Sequence, residues 1–157
     1  MKQNPAEREI RDNMMPGVQS RDGFLGDDTR NIADIVAQDT AVLEEAGVSQ
    51  EELATLLEDL HRRADAGLGT KVSTCNDRVS VELVSEGMGR IVCPFKCGER
   101  AHKAVVEVST PDATIRFTPL HAHLIREHGF FEGRGAHFRI EPEALIRLYR
   151  TCQEIED

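Results

Sequence analysis

Cys93 and Cys97 are separated by three residues, and His123 and His128, further along, by four. No other feature of the chain restricts its folding as tightly. Two soft thiolates and two imidazoles in the order Cys-x3-Cys … His-x4-His are what a tetrahedral zinc ion needs, with all ligands within about 2.0–2.3 Å of one point. Cys93 and Cys97 bracket Pro94-Phe95-Lys96, a length that suits a tight knuckle with both sulfurs turned inward. Four protein ligands leave no open coordination position, so the expected Zn2+ is structural rather than catalytic.

The histidine pair sits at the end of a predicted helix. Thr118-Pro119 supplies a capping hydroxyl and a proline at the first helical position, and Gly129 a left-handed stop. Five positions are more than one helical turn, so the last turn is expected to loosen. His121 lies seven residues before His128, about 10 Å along a helix axis, which favours His123 as the ligand. His121 is expected to meet solvent or a neighbouring strand.

The remaining pattern reads as an α+β protein. Residues 1–26 show no sustained periodicity and read as a loosely ordered arm, pinned by Phe24 and Leu25. Residues 27–69 read as a helical hairpin. Asp28 or Thr29 caps a helix with Ile32, Ile35, Val36, Val42 and Leu43 on one stripe, and Gly47 ends it. Ser49 and Glu52 then have capping-box spacing ahead of Leu53, Leu56, Leu57 and Leu60. Gly47–Ala54 superficially resembles one helix of a helix-turn-helix regulator, but Gly and β-type residues follow where a recognition helix would stand. Residues 70–157 read as a zinc-binding α+β domain with a small antiparallel sheet of two hairpins. Val79, Val81 and Leu83 alternate in a strand, and Ser85–Gly89 is read as a turn. Residues 103–109 and 114–117 pair about Pro111-Asp112, and a final helix from about Pro142 to Ile155 shows Leu145, Leu148, Tyr149 and Cys152 on one face.

A knuckle, a β-hairpin and a helix carrying two histidines together resemble the ββα zinc fingers with two Cys and two His. The resemblance covers about residues 90–130. It implies Cys93, Cys97, His123 and His128 as ligands and Leu120 as the core leucine. Twenty-five residues separate Cys97 from His123, where such fingers have about a dozen. The knuckle is also read as preceding the hairpin. Both departures favour a structural staple over a base-reading helix. The order of a helical hairpin, Cys-x3-Cys and His-Leu-Ile-x-Glu-His-Gly-Phe-Phe-Glu-Gly is also similar to small uncharacterised bacterial proteins, a likeness that implies no activity.

The net charge is -9, so the molecule as a whole repels nucleic acid and anionic membrane. The acid excess lies in the first 69 residues, whereas residues 90–139 carry 8 bases, 5 acids and five of the six histidines. No apolar run reaches membrane-spanning length and no leader is visible. Four cysteines, two in a metal-like pair, favour a reducing cytoplasm over a disulfide framework.

Residues 130–139, Phe-Phe-Glu-Gly-Arg-Gly-Ala-His-Phe-Arg, combine aromatic and guanidinium groups that suit base stacking and phosphate contact. Phe130 and Phe131 are expected to fill the core instead. Two functions follow. The first is a regulatory or scaffold protein that binds a protein partner or its own copy. The second is a nucleic-acid binder using Arg116, Arg126, Arg134, His137, Phe138 and Arg139. A ββα-metal nuclease, with His102 and Glu127 or His128 in its site, is a weaker third reading, because the zinc site leaves it no second metal set. His121-Ala122-His123 as a metallohydrolase motif fails, since residues two apart on a helix point in different directions. No phosphate loop, nucleophile elbow or small-molecule substrate signature is present.

Overall fold

The computed structural model describes residues 5–153. Helix α1 spans Pro5–Asn13, α2 Ile32–Ala46 and α3 Gln50–Ala66. Strands β1 (Val72–Thr74), β2 (Val79–Val92), β3 (Arg100–Ser109) and β4 (Thr114–Phe117) follow, then α4 (Leu120–His128) and α5 (Pro142–Gln153). The architecture is α+β, as expected.

Helix α3 starts where the sequence places it. The Ser49 hydroxyl accepts from the Glu52 N–H at 3.0 Å, and the Glu52 carboxylate accepts from the Ser49 N–H at 3.0 Å. Its buried side chains, Leu53, Ala54, Leu57, Leu60 and Ala64, recur at helical spacing. They cover Val79, Val81, Val106, Val108 and Phe117, which alternate along the sheet on one face. Each such leucine contributes about 1.5–3 kcal/mol by leaving water. Leu145, Ile146 and Leu148 of α5 close the same cluster.

The sheet is one antiparallel meander, β1-β2-β3-β4, and not two separate hairpins. Ser85–Gly89 is not a turn. It lies inside β2, whose pairing with β3 continues through register shifts at Leu83/Ser85 and Glu86/Arg90. Gly89, at φ 88°, lets the extra residues bulge without ending the ladder. The alternation fades there because residues 84–90 are exposed on both faces. The β2–β3 turn is instead Cys93–Glu99, closed by the Cys93 N–H on the Glu99 carbonyl at 2.9 Å. The knuckle therefore sits on the hairpin, not before it.

Three further expectations change. Asp28 and Thr29 do not cap α2, which begins at Ile32 with Asn31 in the cap position. Asp28 instead accepts from the Arg30 side chain and the Arg134 N–H. In the N-terminal arm, residues 5–13 form α1, although none of its side chains is fully buried. It is tied down from outside: Arg11 donates to the Arg30 and Asp28 carbonyls at 2.7 and 2.8 Å. Met14, Phe24 and Leu25 then bury as a plug, as expected for the latter two. Finally, Cys75 and Cys152 form a disulfide between the β1–β2 turn and α5. Cysteine usage is thus no argument for a reducing compartment. Among the described residues no helix is long and apolar enough to cross a membrane.

Candidate metal centre

The knuckle at the tip of β2–β3 and the C-terminal half of α4 meet. Cys97 Sγ lies 3.1 Å from His123 Nε2, and Cys93 Sγ lies 3.6 Å from His128 Nε2. All four ligand atoms lie within 4.8 Å of one another. A tetrahedral zinc ion with ordinary bond lengths needs S···N separations of about 3.5 Å. The donor set and its spacing therefore fit a metal ion.

Local structure makes this meeting possible. Lys96 and Gly98 adopt left-handed backbones, φ 65° and 87°, which bend the knuckle so that both sulfurs face α4. Helix α4 does not loosen: it stays regular through His128, and the Gly129 and Phe130 N–H groups close it on the Ile125 and Leu124 carbonyls. Gly129 has φ 60°, and a Cβ there would lie 2.7 Å from Thr40 Cγ2, so only glycine ends the helix this close to α2. The imidazoles reach one point from different sides of the axis, with ring centroids 5.1 Å apart and planes at 80°.

The site is half sheltered. Cys93 is buried and Cys97 exposed, with both histidines between. Phe95 stacks on His128 at 4.0 Å and meets Phe130 edge-on at 5.3 Å, fixing the His128 ring. Helix α1 straps the knuckle from outside. Asn13 donates to the Pro94 carbonyl at 3.2 Å, and Lys96 pairs with Glu9 at 2.7 Å. Leu120 packs beneath, with Leu124 and Cys93. Burial pushes the Cys93 thiol up to about 12. A thiolate in that position needs a cation beside it. Burial also lowers His128, aided by His123, and keeps the imidazole neutral as a metal ligand requires.

His121 corrects the expectation made for it. It is fully buried and stands outside the Cys93, Cys97, His123 and His128 group. Its Nδ1 accepts the Thr118 N–H at 3.0 Å, so Nε2 carries the proton and faces the Phe138 carbonyl and Glu132 Oε2, each at 3.0 Å. Thus His121 and His123 diverge, as two neighbours on a helix must. Glu132 is itself buried, with left-handed φ 71°.

The six residues considered for partner binding are scattered. Arg126 is closed on Glu51 at 2.6 Å and Glu58 at 2.5 Å of α3. Arg139 is nearly buried and holds Asp39 of α2 through both nitrogens, at 2.5 and 2.9 Å. Arg116, on β4, lies 3.5 Å from Glu107. Arg134 and His137 are exposed, and His137 meets the half-buried Phe138 edge-on at 4.5 Å. Phe130 and Phe131 are core residues, as expected. His102 is exposed on β3 and bonded to Glu86 at 3.0 Å.

No known family model matches the chain, no curated protein matches it, and no solved structure matches it. The finger resemblance of residues 90–130 therefore rests on the ligand geometry alone.

Proposed function

We propose that the protein is a zinc-binding regulatory or scaffold protein whose closed structural site clamps the β2–β3 knuckle to α4 in a finger-like unit. One observation carries this reading: four ligand atoms from exactly two structural pieces lie within 4.8 Å of one another. Cys93 and Cys97 hold the metal from the knuckle, and His123 and His128 hold it from the helix. The metal supplies a cross-link and the neutralising charge that the buried Cys93 thiolate needs. Phe95 and the α1 strap exclude water from one side.

The clamp makes a bridge of the ribbon between sheet and knuckle. Residues 84–90 of β2 and Arg100, His102 and Lys103 of β3 are exposed. β1 pairs with β2 only at Val79–Val81, and β4 with β3 only at Val106–Ser109. Among the described residues both outer edges of the ribbon are therefore free of sheet neighbours, a form suited to a protein partner or a second copy. A second reading, nucleic-acid binding, draws on the same ribbon, because Arg90, Lys96, Arg100 and Lys103 are all exposed on it.

Metal analysis of the purified protein should give one zinc per chain, with loss of the fold around α4 on chelation. Absence of stoichiometric metal together with an unchanged spectrum under chelator would overturn the zinc reading. Retention on immobilised single- and double-stranded nucleic acid separates the two partners. Steep loss of retention with salt supports nucleic acid; no retention at low salt leaves the protein partner.

A further inference from the structure

Far from the metal, a cleft of about 490 Å³ opens between the β3–β4 turn and α5. Val108 and Ile115 are register partners, so they share the core-facing side of the sheet. Leu148 of α5 completes the apolar floor, with Val108 and Leu148 almost fully buried. The gap exists because α5 meets this end of the sheet with a small residue, Ala144, one turn before Leu148. Three guanidinium groups rim it: Arg78, Arg147 and Arg150.

A cation-rimmed cleft runs against the composition of this chain, whose net charge is -9. Among the described residues Asp112 is the one carboxylate in the lining. Among the described residues, Arg147 and Arg150 form no ion pair, in contrast to Arg126 and Arg139. Arg150 gives one N–H to the Ala46 carbonyl at 3.0 Å, which anchors α5 and leaves further donors for the cleft. The hydroxyls at the rim are already engaged. Thr151 donates to the Arg147 carbonyl at 2.9 Å, and Thr110 accepts from the Ala113 N–H at 3.0 Å. Recognition here therefore falls to the guanidinium forks above an apolar floor.

We infer that this cleft binds a small anionic molecule, with a phosphate or carboxylate head held by Arg147 and Arg150 and an apolar body on Val108, Ile115 and Leu148. The volume suits a small organic ligand, for which pockets measure about 300–1,000 Å³. Bare phosphate would leave the floor wet, and an uncharged apolar molecule would leave the guanidinium forks unused. Both halves of the ligand are needed. The site is independent of the zinc reading, so either can fail alone.

Hexyl phosphate is a direct probe. Titrated into the full chain and followed by backbone amide NMR, it should give saturable shifts concentrated in residues 108–115 and 144–151. Inorganic phosphate should bind at least several-fold more weakly, and hexanol should not saturate. Arg147→Gln removes an exposed side chain with no hydrogen bond among the described residues, so the spectrum should otherwise be unchanged. It should weaken hexyl phosphate about tenfold, the loss of one charge-assisted contact. Arg147→Glu should abolish binding. Absence of saturable shifts in these two segments, or equal affinity in the wild-type and Arg147→Gln proteins, would overturn the inference.

Discussion

The molecule has two apolar clusters, and they are built differently. The larger one lies between the sheet, α3 and α5 and draws most of its side chains from regular elements at helical and strand spacing, with Val48, Phe131 and Ile140 added from loops. The smaller one gathers Met14, Phe24, Leu25, Cys93 and Phe130 from loops with Ile32 and Ile35 of α2 and Leu120 and Leu124 of α4, and only the partly buried Ile10 of α1 packs against it. Regular faces bury many side chains for each element that is ordered. Loops bury few, and each ordered residue costs about 1–2 kcal/mol of backbone entropy. The smaller cluster accordingly carries point constraints: the Cys93, Cys97, His123 and His128 group, the Asp28–Arg30–Arg134 contacts, and Arg139 on Asp39. Helix α4 serves both clusters. Leu120 and Leu124 face the smaller, Ala122 and Ile125 the larger.

Metal removal should break this comparison most visibly. Structural zinc in finger peptides supplies about 10–16 kcal/mol of apparent binding free energy. Chelation, or Cys93→Ser, should release the knuckle and open the smaller cluster while α3, α5 and β1–β4 stay folded. Hydrogen exchange by mass spectrometry reads this directly: protection should collapse over residues 10–35, 93–99 and 120–130 and persist over 50–66. Uniform loss of protection would mean that the two clusters are a single unit. Arg139→Met comes next. It leaves the buried Asp39 carboxylate unpaired, which should cost about 3–5 kcal/mol in a urea titration. Asp39→Asn with Arg139→Met should recover part of that loss.

Legibility in the sequence follows the same division. The capping box of Ser49 and Glu52, the leucine stripe of α3 and the alternation of Val79 and Val81 are local signals, and each element appears where it was expected. The meeting of Cys93, Cys97, His123 and His128 was legible for another reason, since the chemistry and spacing of the four residues single them out without a fold. What could not be seen is held together over long sequence distances. Helix α1 has no buried face of its own and depends on Arg11, Asn13 and Glu9 contacts from elsewhere. His121 was misplaced because its partners, Glu132 and Phe138, arrive from a later loop. Cys75 and Cys152 lie 77 residues apart in unlike elements, and no spacing rule joins them. The Gly87-Met88-Gly89 stretch looked like a turn because local rules score glycine as a break, whereas cross-strand pairing carries β2 through it.

The disulfide sharpens the comparison from the other side, because it braces the larger cluster. A cross-link closing a loop of this length typically contributes about 2–4 kcal/mol. Cys75→Ser with Cys152→Ser should lower the urea midpoint accordingly, leaving one bound zinc per chain and unchanged exchange over residues 10–35. Loss of zinc in that variant would show that the clusters communicate. Asp28 should have a smaller effect. The Arg30 guanidinium beside it holds its carboxyl far below the ordinary carboxylate range. Its folded form thus binds a proton less readily than the unfolded chain does. The stabilisation is complete above the unfolded pKa of about 3.9 and is lost as pH falls below it. Asp28→Asn should cost about 1–3 kcal/mol at neutral pH. That deficit should stay constant from pH 5 to pH 8; a deficit that changes across this interval would rule out the ionised carboxylate as its source.

Arg126 should matter least, although it makes some of the shortest ion pairs in the molecule. It lies on α4 between the clusters, with Glu51 and Glu58 of α3 around it, and these acids are more than half exposed. Water and salt screen such pairs, whose worth is typically about 0–1 kcal/mol each. The mechanical link between α4 and α3 is elsewhere, in the Gln50 side chain donating to the Ile125 carbonyl at 2.8 Å and in Ile125 within the larger cluster. Arg126→Ala should therefore lower stability by at most about 1 kcal/mol, and the difference should vanish in molar salt. Gln50→Ala removes a donor from the helix end and should cost as much without any salt dependence. A larger, salt-insensitive loss in Arg126→Ala would place the joint between the two clusters at this guanidinium rather than at the buried face of α4.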